Sequence, residues 1–570
     1  MVLSENAKLV LKKRYLLKDA SGTVIEKPEE MVKRVAKTIA GAETQHSDKA
    51  SYWEERFFTL MHDLKFLPNS PALMNAGKSI GQLAACFVLP VEDSMESIFG
   101  SLKDAALILQ SGGGTGFSFS HLRPKADMVS STGGIASGPV SFMKVYNTAT
   151  DVIKQGGARR GANMGILRVD HPDVIDFIRL KRHPGELENF NISVAVTDAF
   201  MDALYADGDF QLLNPRTHEK HSSIKARTVF NEMIASAWET GDPGIIFIDA
   251  INRSNPTPQI GIIESTNPCG EQPLLPYEAC ILGSMNLSKY VRRTDARPRV
   301  DYHSLSNDIK TAVRFLDNAI DINKYPLPDI ENMHRGNRKI GLGVMGWADM
   351  LIRLEIPYSS RKAFLLAEQL MEFFRDTASG YSAELARERG VFPNFHGSIY
   401  DNPGMPRVRN ATTTTIAPTG TLSIIADCSS GIEPLYALAY KRLIMESELT
   451  EINTAFFGIA RKQGFYTPEL QEEIVHKGTL RGIKQIPGKI KKLFKTAHEI
   501  NYRDHIEMQA SFQKFTDNAV SKTINMPQTA KKEDVSQAFF LAYEKGCKGI
   551  TVFRYGTQKK GALVRIPDAD

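Results

Sequence analysis

Residues 265–280 read Ser-Thr-Asn-Pro-Cys-Gly-Glu-Gln-Pro-Leu-Leu-Pro-Tyr-Glu-Ala-Cys, and the rest of the chain is best read outward from them. Pro268 and Gly270 on either side of Cys269 disfavour a helix or a long strand, so Cys269 is expected on a tight turn or loop tip. Asn267 and Glu271 flank it two residues away. Together they offer a reactive sulfur, a general base and a hydrogen-bonding orienter. No histidine lies nearby to take the thiol proton, and a neighbouring carboxylate disfavours thiolate. Acyl transfer is therefore a poor fit. A thiol kept protonated suits use as a hydrogen-atom donor and acceptor.

Glycine-rich segments lie on both sides. Ser111-Gly112-Gly113-Gly114-Thr115-Gly116 follows a helical pattern and precedes an alternating Phe117/Phe119 strand. Its backbone N–H groups could cradle an anion. It lacks the Gly-Lys-Ser/Thr ending of a P-loop and the third glycine of a dinucleotide fingerprint, so the plain reading is a tight turn. Pro418-Thr419-Gly420-Thr421 sets two hydroxyls beside a flexible backbone, suited to phosphate but unspecific alone. Lys154-Gln155-Gly156-Gly157-Ala158-Arg159-Arg160-Gly161 puts three cations in a glycine-flanked loop, which fits either a nucleotide contact or an exposed loop.

The 570 residues are 42% hydrophobic and 24% charged, values of a globular chain rather than a disordered or fibrous one. No apolar run nears the roughly 18 residues needed to span a bilayer, and charge interrupts the N-terminal apolar stretches, so a cytoplasmic protein is expected. Lys+Arg 70 against Asp+Glu 65 leaves a net charge of +5. The one dense basic run, residues 484–495, reads as a solvated face, and nucleic-acid binding is not expected. The five cysteines (86, 269, 280, 428 and 547) have no CxxC spacing, which argues against a disulfide framework and a metal site. Val32, Val35 and Ile39 after Pro28, then Trp53, Phe57 and Leu60, predict an N-terminal helical region over 1–65. From residue 66, apolar stretches broken by Gly, Pro and Asn alternate with helices such as 362–388, which stops at Gly390. This interleaving predicts one large α/β domain.

Taken together, Asn267-x-Cys269-x-Glu271, Cys280 eleven residues beyond Cys269, and Cys86 within residues 84–98 (AACFVLPVEDSMESI) resemble the catalytic set of the ribonucleotide reductases. FLPNSPALMNAG (66–77), SGGGTGFSFSHLRP (111–124), IAPTGTLSIIADCSSGIEP (416–434) and CKGITVFRYG (547–556) resemble the class II, adenosylcobalamin-dependent branch. The resemblance implies a ten-stranded α/β barrel over 66–556, made of two antiparallel five-stranded halves around a finger loop, and a C-terminal tail over 557–570. It implies a Cys269 thiyl radical that removes the ribose 3′ hydrogen, Glu271 as the base for the 3′-hydroxyl, and Asn267 as the orienter. Cys86 and Cys280 would supply the electrons and close into a disulfide. Ser70, Ala85, Gly112, Gly113, Pro418, Thr419, Gly420 and Thr421 match regions lining the ribonucleotide substrate. Asp93, Lys154, Gln155 and Arg159 match the site of a deoxynucleotide effector. Asp93 also reads as the first residue of a capping box with Glu96. Cys428 and Cys547 are expected to be structural.

The resemblance further implies a homodimer and a thioredoxin-type or small-thiol reductant. Gly549–Tyr555 holds no adjacent tyrosine pair of the kind that relays a radical in class I, which favours adenosylcobalamin. A class I-like catalytic subunit and a non-catalytic nucleotide-binding paralogue are the alternatives. No ATP-binding cone precedes the barrel, so overall control by ATP and dATP is not expected. No cysteine follows Cys547, where the family places a relay pair. A truncated chain is the favoured explanation, ahead of a tail from another polypeptide or a reductant acting directly. The sequence leaves diphosphate and triphosphate substrates open.

Overall fold

Three helices lead the chain: α1 (Glu5–Arg14), α2 (Pro28–Ala40) and α3 (Ala50–His62). The Ser4 hydroxyl accepts from the Ala7 N–H at 3.2 Å and caps α1, and Pro28 opens α2 with its φ already fixed. Met31, Val32, Val35, Ala36 and Ile39 form one buried stripe on α2, packed against α3. Each large aliphatic side chain so buried contributes about 1.5–3 kcal/mol. A computed structural model of the chain describes residues 1–570 except 47, 130–132, 154–161, 184, 295–296, 445–446, 558–562 and 565–570.

Five strands, β1 (Cys86–Leu89), β2 (Gly114–Ser118), β3 (Asn163–Arg168), β4 (Phe190–Val196) and β5 (Gly244–Phe247), run parallel to their neighbours in that order. A second set contains β6 (Ala279–Asn286) parallel to β7 (Ile340–Met345), and β8 (Thr523–Met526) parallel to β9 (Gly549–Arg554). Residues 412–416 join these pairs through parallel bridges, Leu342 to Thr414 and Ile416 to Val520. The two sets meet antiparallel at both seams, Cys86 opposite Cys280 and Ile245 opposite Ile550. Counting 412–416, two parallel five-stranded halves thus close a ten-stranded barrel, in agreement with the fold the sequence suggests. A short strand, Phe66–Pro68, pairs with the far end of β6.

Parallel neighbours need long crossovers, usually helical. The helices include α4 (Met95–Gln110), α5 (Pro139–Val152), α6 (Tyr302–Ile322), α7 (Arg361–Arg389) and the short α8 (Leu422–Ala426). All eight residues of β6 are buried, as befits a strand covered on both faces. Helix α7 begins at the Ser360 cap and stops at Gly390, whose φ of +85° favours glycine.

One local expectation is corrected. Helix α4 is capped by Ser94, whose hydroxyl accepts from Ser97 N–H at 3.1 Å, because the Asp93 carboxylate is held by Arg123 instead. In the tail, Leu563 and Val564 pair antiparallel with Arg442 and Lys441. The basic run 484–495 buries Ile486, Ile490 and Leu493 and turns most of its lysines outward. No helix among the described residues is long and apolar enough to cross a membrane.

Candidate active site

Ser265–Thr266 and Pro273–Leu274 pair as two short arms, and the turn between them carries Cys269 at its tip. This hairpin is held by both halves of the barrel. On one side Asn191 of β4 donates to the Pro268 carbonyl at 2.8 Å. On the other, the Ala519 N–H and the Thr415 hydroxyl both donate to the Glu271 carbonyl at 2.9 Å. The hairpin is therefore a finger inside the barrel. Its own turn is closed by Gly270 N–H to the Asn267 carbonyl at 3.0 Å, with Gly270 at φ +80°.

The glycine run 112–116 has a different reason from the anion cradle it suggests. A Cβ on Gly116 would lie 1.7 Å from the Thr266 carbonyl oxygen, and one on Gly114 would lie 3.0 Å from Pro268. A Cβ on Gly113 would meet Phe87 at 2.5 Å. These three glycines admit the finger and the packing of β1. Only Gly112, at φ +94° and facing open space, matches a turn glycine beside a ligand.

Cys86 and Cys280 sit directly opposite each other on antiparallel neighbours. Such pairs bring Cβ atoms to about 4.5–5.5 Å, close to disulfide range. All five cysteines are thiols in this structure. The Asn267 amide donates to Cys86 Sγ at 3.1 Å, while its Oδ1 accepts from Gln272 N–H at 3.0 Å. Burial pushes the Cys86 thiol well above the ordinary range, and the nearby Glu271 carboxylate pushes it further. Burial likewise raises Cys280, partly offset by the Lys339 ammonium. Both thiols are thus protonated at neutral pH. Cys269 differs: it is exposed, while Asn267, Pro268 and Glu271 around it are buried. One buried carboxylate, one amide, a buried dithiol and one open thiol therefore share a single site.

The proposed substrate loops converge on it. Ala85 and Ala417 pack against the buried cluster of Cys86, Val88, Leu274, Cys280 and Leu282, which brings Pro418–Thr421 alongside the dithiol. Thr419 has φ +51°, and its hydroxyl accepts from Gly431 N–H at 2.7 Å. Ser70 shares a 2.7 Å hydrogen bond with Tyr15, and Thr421 accepts from Arg14 at 3.3 Å. The first helix of the chain thus reaches the site, which no sequence signal indicated. Asn191, Thr415 and Lys339 were missed as well, although the Thr412–Ile416 run of β-branched residues was a legible strand signal.

Of the proposed effector residues, Asp93 is held by Arg123. Its carboxylate takes Arg123 Nε at 3.1 and 2.8 Å, and the Arg123 N–H at 3.1 Å. Lys154, Gln155 and Arg159 lie outside the described residues. Cys547 is buried and Cys428 half-buried, and neither has a redox partner among the other cysteines.

Residues 84–553 match the family model described as ribonucleotide reductase, barrel domain, and residues 1–81 match the one described as ribonucleotide reductase, all-alpha domain. The vitamin B12-dependent ribonucleoside-diphosphate reductase of Thermoplasma acidophilum is 49% identical over 97% of this chain and 79% of its own length. The protein of the same description from Mycobacterium tuberculosis is 48% identical, covering 98% of this chain and 80% of its own. The class Id ribonucleotide reductase alpha subunit of Actinobacillus ureae superposes with a TM-score of 0.78 at 23% identity, covering 97% of this chain and 98% of that one. At that identity the last match speaks for the fold.

Proposed function

Since the chain belongs to the ribonucleotide reductase family, we propose that it reduces ribonucleoside diphosphates to 2′-deoxyribonucleotides with adenosylcobalamin as its radical source, as its relatives' descriptions indicate. The observation that carries this reading is the finger: Cys269 at its tip, Asn267 and Glu271 beside it, and Cys86 opposite Cys280 beneath it.

The site fits a bulky radical-generating cofactor on one count. Cys269 is the exposed thiol of the group, and a Cβ on Gly112 or Gly270 would meet nothing within 4 Å. These residues would border the bound cofactor. When bound, adenosylcobalamin supplies the homolysis that oxidises the Cys269 thiol to a thiyl. The thiyl removes the ribose 3′ hydrogen, and Glu271 takes the 3′-hydroxyl proton. Asn267, locked by its bond to Gln272 N–H, orients the ribose hydroxyls. The protonated Cys86–Cys280 pair gives one proton, with which the 2′-hydroxyl leaves as water. It then gives one hydrogen atom to C2′ and last one electron, so the two sulfurs close into a disulfide while Glu271 returns its proton to the 3′-oxygen. Cys269 then returns its hydrogen to C3′ and is a thiyl again, and its thiol would be restored at the bound cofactor. The balance is one ribonucleotide and two thiols to one deoxyribonucleotide, one disulfide and water.

The same reading includes a helical lead over 1–65, the barrel over 66–556, a cytoplasmic location and an external dithiol reductant. It also includes a homodimer with a deoxynucleotide effector near Asp93. Supporting the dimer, α4 exposes Met95, Phe99 and Leu107, and α5 exposes Val145 and Val152.

The test is turnover by the full chain with adenosylcobalamin, a ribonucleoside diphosphate, a deoxynucleotide effector and dithiothreitol. Deoxyribonucleotide and a cob(II)alamin–thiyl signal are expected, both lost in Cys269→Ala. No product with any effector, or product without adenosylcobalamin, overturns the reading.

A further inference from the structure

The register that sets Cys86 opposite Cys280 extends to a third residue. Ile281 pairs with Ile340 in parallel β6 and β7, so Lys339 stands next to Cys280 in the same row. Residues in one row point to one face of a sheet. Across three adjacent strands the order is Cys86, Cys280, Lys339.

Lys339 is buried, and its ammonium lies 2.6 Å from a buried Glu278 carboxylate oxygen. That oxygen also takes the Leu275 N–H at 2.7 Å, and the other takes the Asn337 amide. The cation is thereby fixed. A buried ion pair adds little net stability, so its presence calls for another reason.

The charges around the two sulfurs differ. Cys280 faces Lys339, Glu278 and Glu271, and of these Lys339 acts most strongly, in the direction that favours thiolate. Lys548 lies beyond it, close enough to feel the Lys339 charge. Cys86 faces the Glu271 carboxylate and the Cys280 and Cys269 sulfurs, and only the Asn267 amide opposes them. Cys86 also retains slight exposure, 3% against 0% for Cys280.

We propose that Lys339 polarises the Cys86–Cys280 disulfide, so that a reducing thiolate attacks Cys86 and Cys280 departs as a thiolate. This rests on the reading of the pair as the electron source. In the first step a bond forms between the reductant sulfur and Cys86, the Cys86–Cys280 bond breaks, and the electron pair stays on Cys280. Cys280 then takes up the proton that the attacking thiol released. In the second step the other thiol of a dithiol reductant displaces Cys86. The reductant leaves as a disulfide, two electrons poorer, and both cysteines are thiols again. The better-stabilised thiolate leaves faster, which is why the direction follows the cation.

The test starts from the full chain oxidised until peptide mass mapping finds the Cys86–Cys280 disulfide. The monothiol 2-mercaptoethanol is added briefly and then quenched with excess N-ethylmaleimide, which also traps the sulfur released. Mercaptoethanol on Cys86 and maleimide on Cys280 are expected in large excess. The reverse pattern, or an even split, overturns the proposal. Failure to form the disulfide at all overturns instead the electron-source reading beneath it. Lys339→Met combined with Glu278→Gln, which leaves no lone buried charge, should slow opening by dithiothreitol by about threefold to tenfold, because a less stabilised thiolate leaves more slowly. Lys339→Arg should restore most of the rate. An unchanged rate in the double variant overturns the proposal, and if that variant does not fold, the trapping pattern of the unmodified chain decides alone.

Discussion

Glu43 and Arg389 meet at 2.7 Å with both side chains fully buried, although 346 residues separate them. Arg314 grips the same carboxylate through Nε and Nη2 at 2.8 and 2.7 Å, and the Asn318 amide joins at 2.7 Å. Arg389 and Arg338 in turn share Asp317. Glu43 lies in the single turn after α2, whereas the guanidinium groups of Arg314 and Arg389 come from α6 and α7. The cluster locks the helical lead onto the barrel.

Acid should undo this lock first. Burial pushes the Glu43 carboxyl up, but hydrogen bonds from Arg314, Asn318 and Arg389 outweigh it and hold it at about 2, against an ordinary 4.5. A depressed carboxyl stabilises the fold fully above the ordinary value, and that stability is lost as pH falls through 4.5 toward 2. The loss amounts to about 3 kcal/mol when complete. Thermal unfolding from pH 6 down to 3 should show a steep decline. Glu43→Gln should lower the midpoint at pH 6 and flatten the decline, and an unchanged acid slope would contradict the assignment.

Gly116→Ala tests the seat of the finger. The added Cβ meets a backbone carbonyl at 1.7 Å, which cannot swing away as a side-chain tip would. Overpacking of this kind costs about 1–3 kcal/mol. A displacement of about 1 Å at Cys269 would lower turnover by about 100-fold. Gly112→Ala, strained at φ +94° but facing open space, should retain far more activity. Comparable turnover of the two variants would refute the packing explanation.

What the sequence made legible is local. Pro268 and Gly270 announced the turn under Cys269, and Gly390 announced the end of α7, because a fixed φ and a positive φ are properties of single residues. The meeting of Cys86 with Cys280 depends on the register of strands nearly two hundred residues apart, and only the family resemblance suggested it. Lys339 escaped for the same reason. The glycine run was visible but not its cause, since close approach by a distant carbonyl leaves no mark on neighbouring residues. Asp93 as a cap was a sound local reading that a distant arginine overrode.

His121 bridges two carboxylates, with Nδ1 2.8 Å from Glu92 and Nε2 2.8 Å from Glu264. The hydrogen bond to Glu264, opposed by burial and aided by Glu92, pushes the imidazole up to about 9. It should carry a proton throughout the neutral range. A raised imidazole stabilises the fold below about 6.5 and ceases to as pH climbs through 9, and the half-exposed setting keeps that contribution small. A histidine ring resonance assigned through His121→Gln should titrate near 9. In Glu264→Gln it should fall back toward 6.5; titration near 6.5 in the unmodified chain would refute the bridge.

Arg14 and Tyr15 bring the end of the first helix to the loops proposed to hold the substrate. Arg14 donates to the Thr421 hydroxyl at 3.3 Å, and the Tyr15 and Ser70 hydroxyls share a hydrogen bond at 2.7 Å. Helix α1 lies directly against α8, which begins at the residue after Thr421. Ser70 and Thr421 belong to loops proposed to hold an anionic substrate, and a guanidinium there both positions Thr421 and adds positive charge. A hydrogen bond to a charged group is worth about 1.5–3 kcal/mol, or at least about tenfold in an equilibrium constant. Arg14→Gln should therefore raise KM for a ribonucleoside diphosphate about tenfold or more while kcat falls less, because Cys269 and the dithiol are untouched. Arg14→Lys should recover part of the loss, keeping the charge but not the fork. Tyr15→Phe, which removes one neutral hydrogen bond, should cost only a few-fold. Steady-state kinetics at saturating adenosylcobalamin separate these outcomes. A kcat loss with unchanged KM in Arg14→Gln would mean that α1 supports the barrel without touching substrate binding.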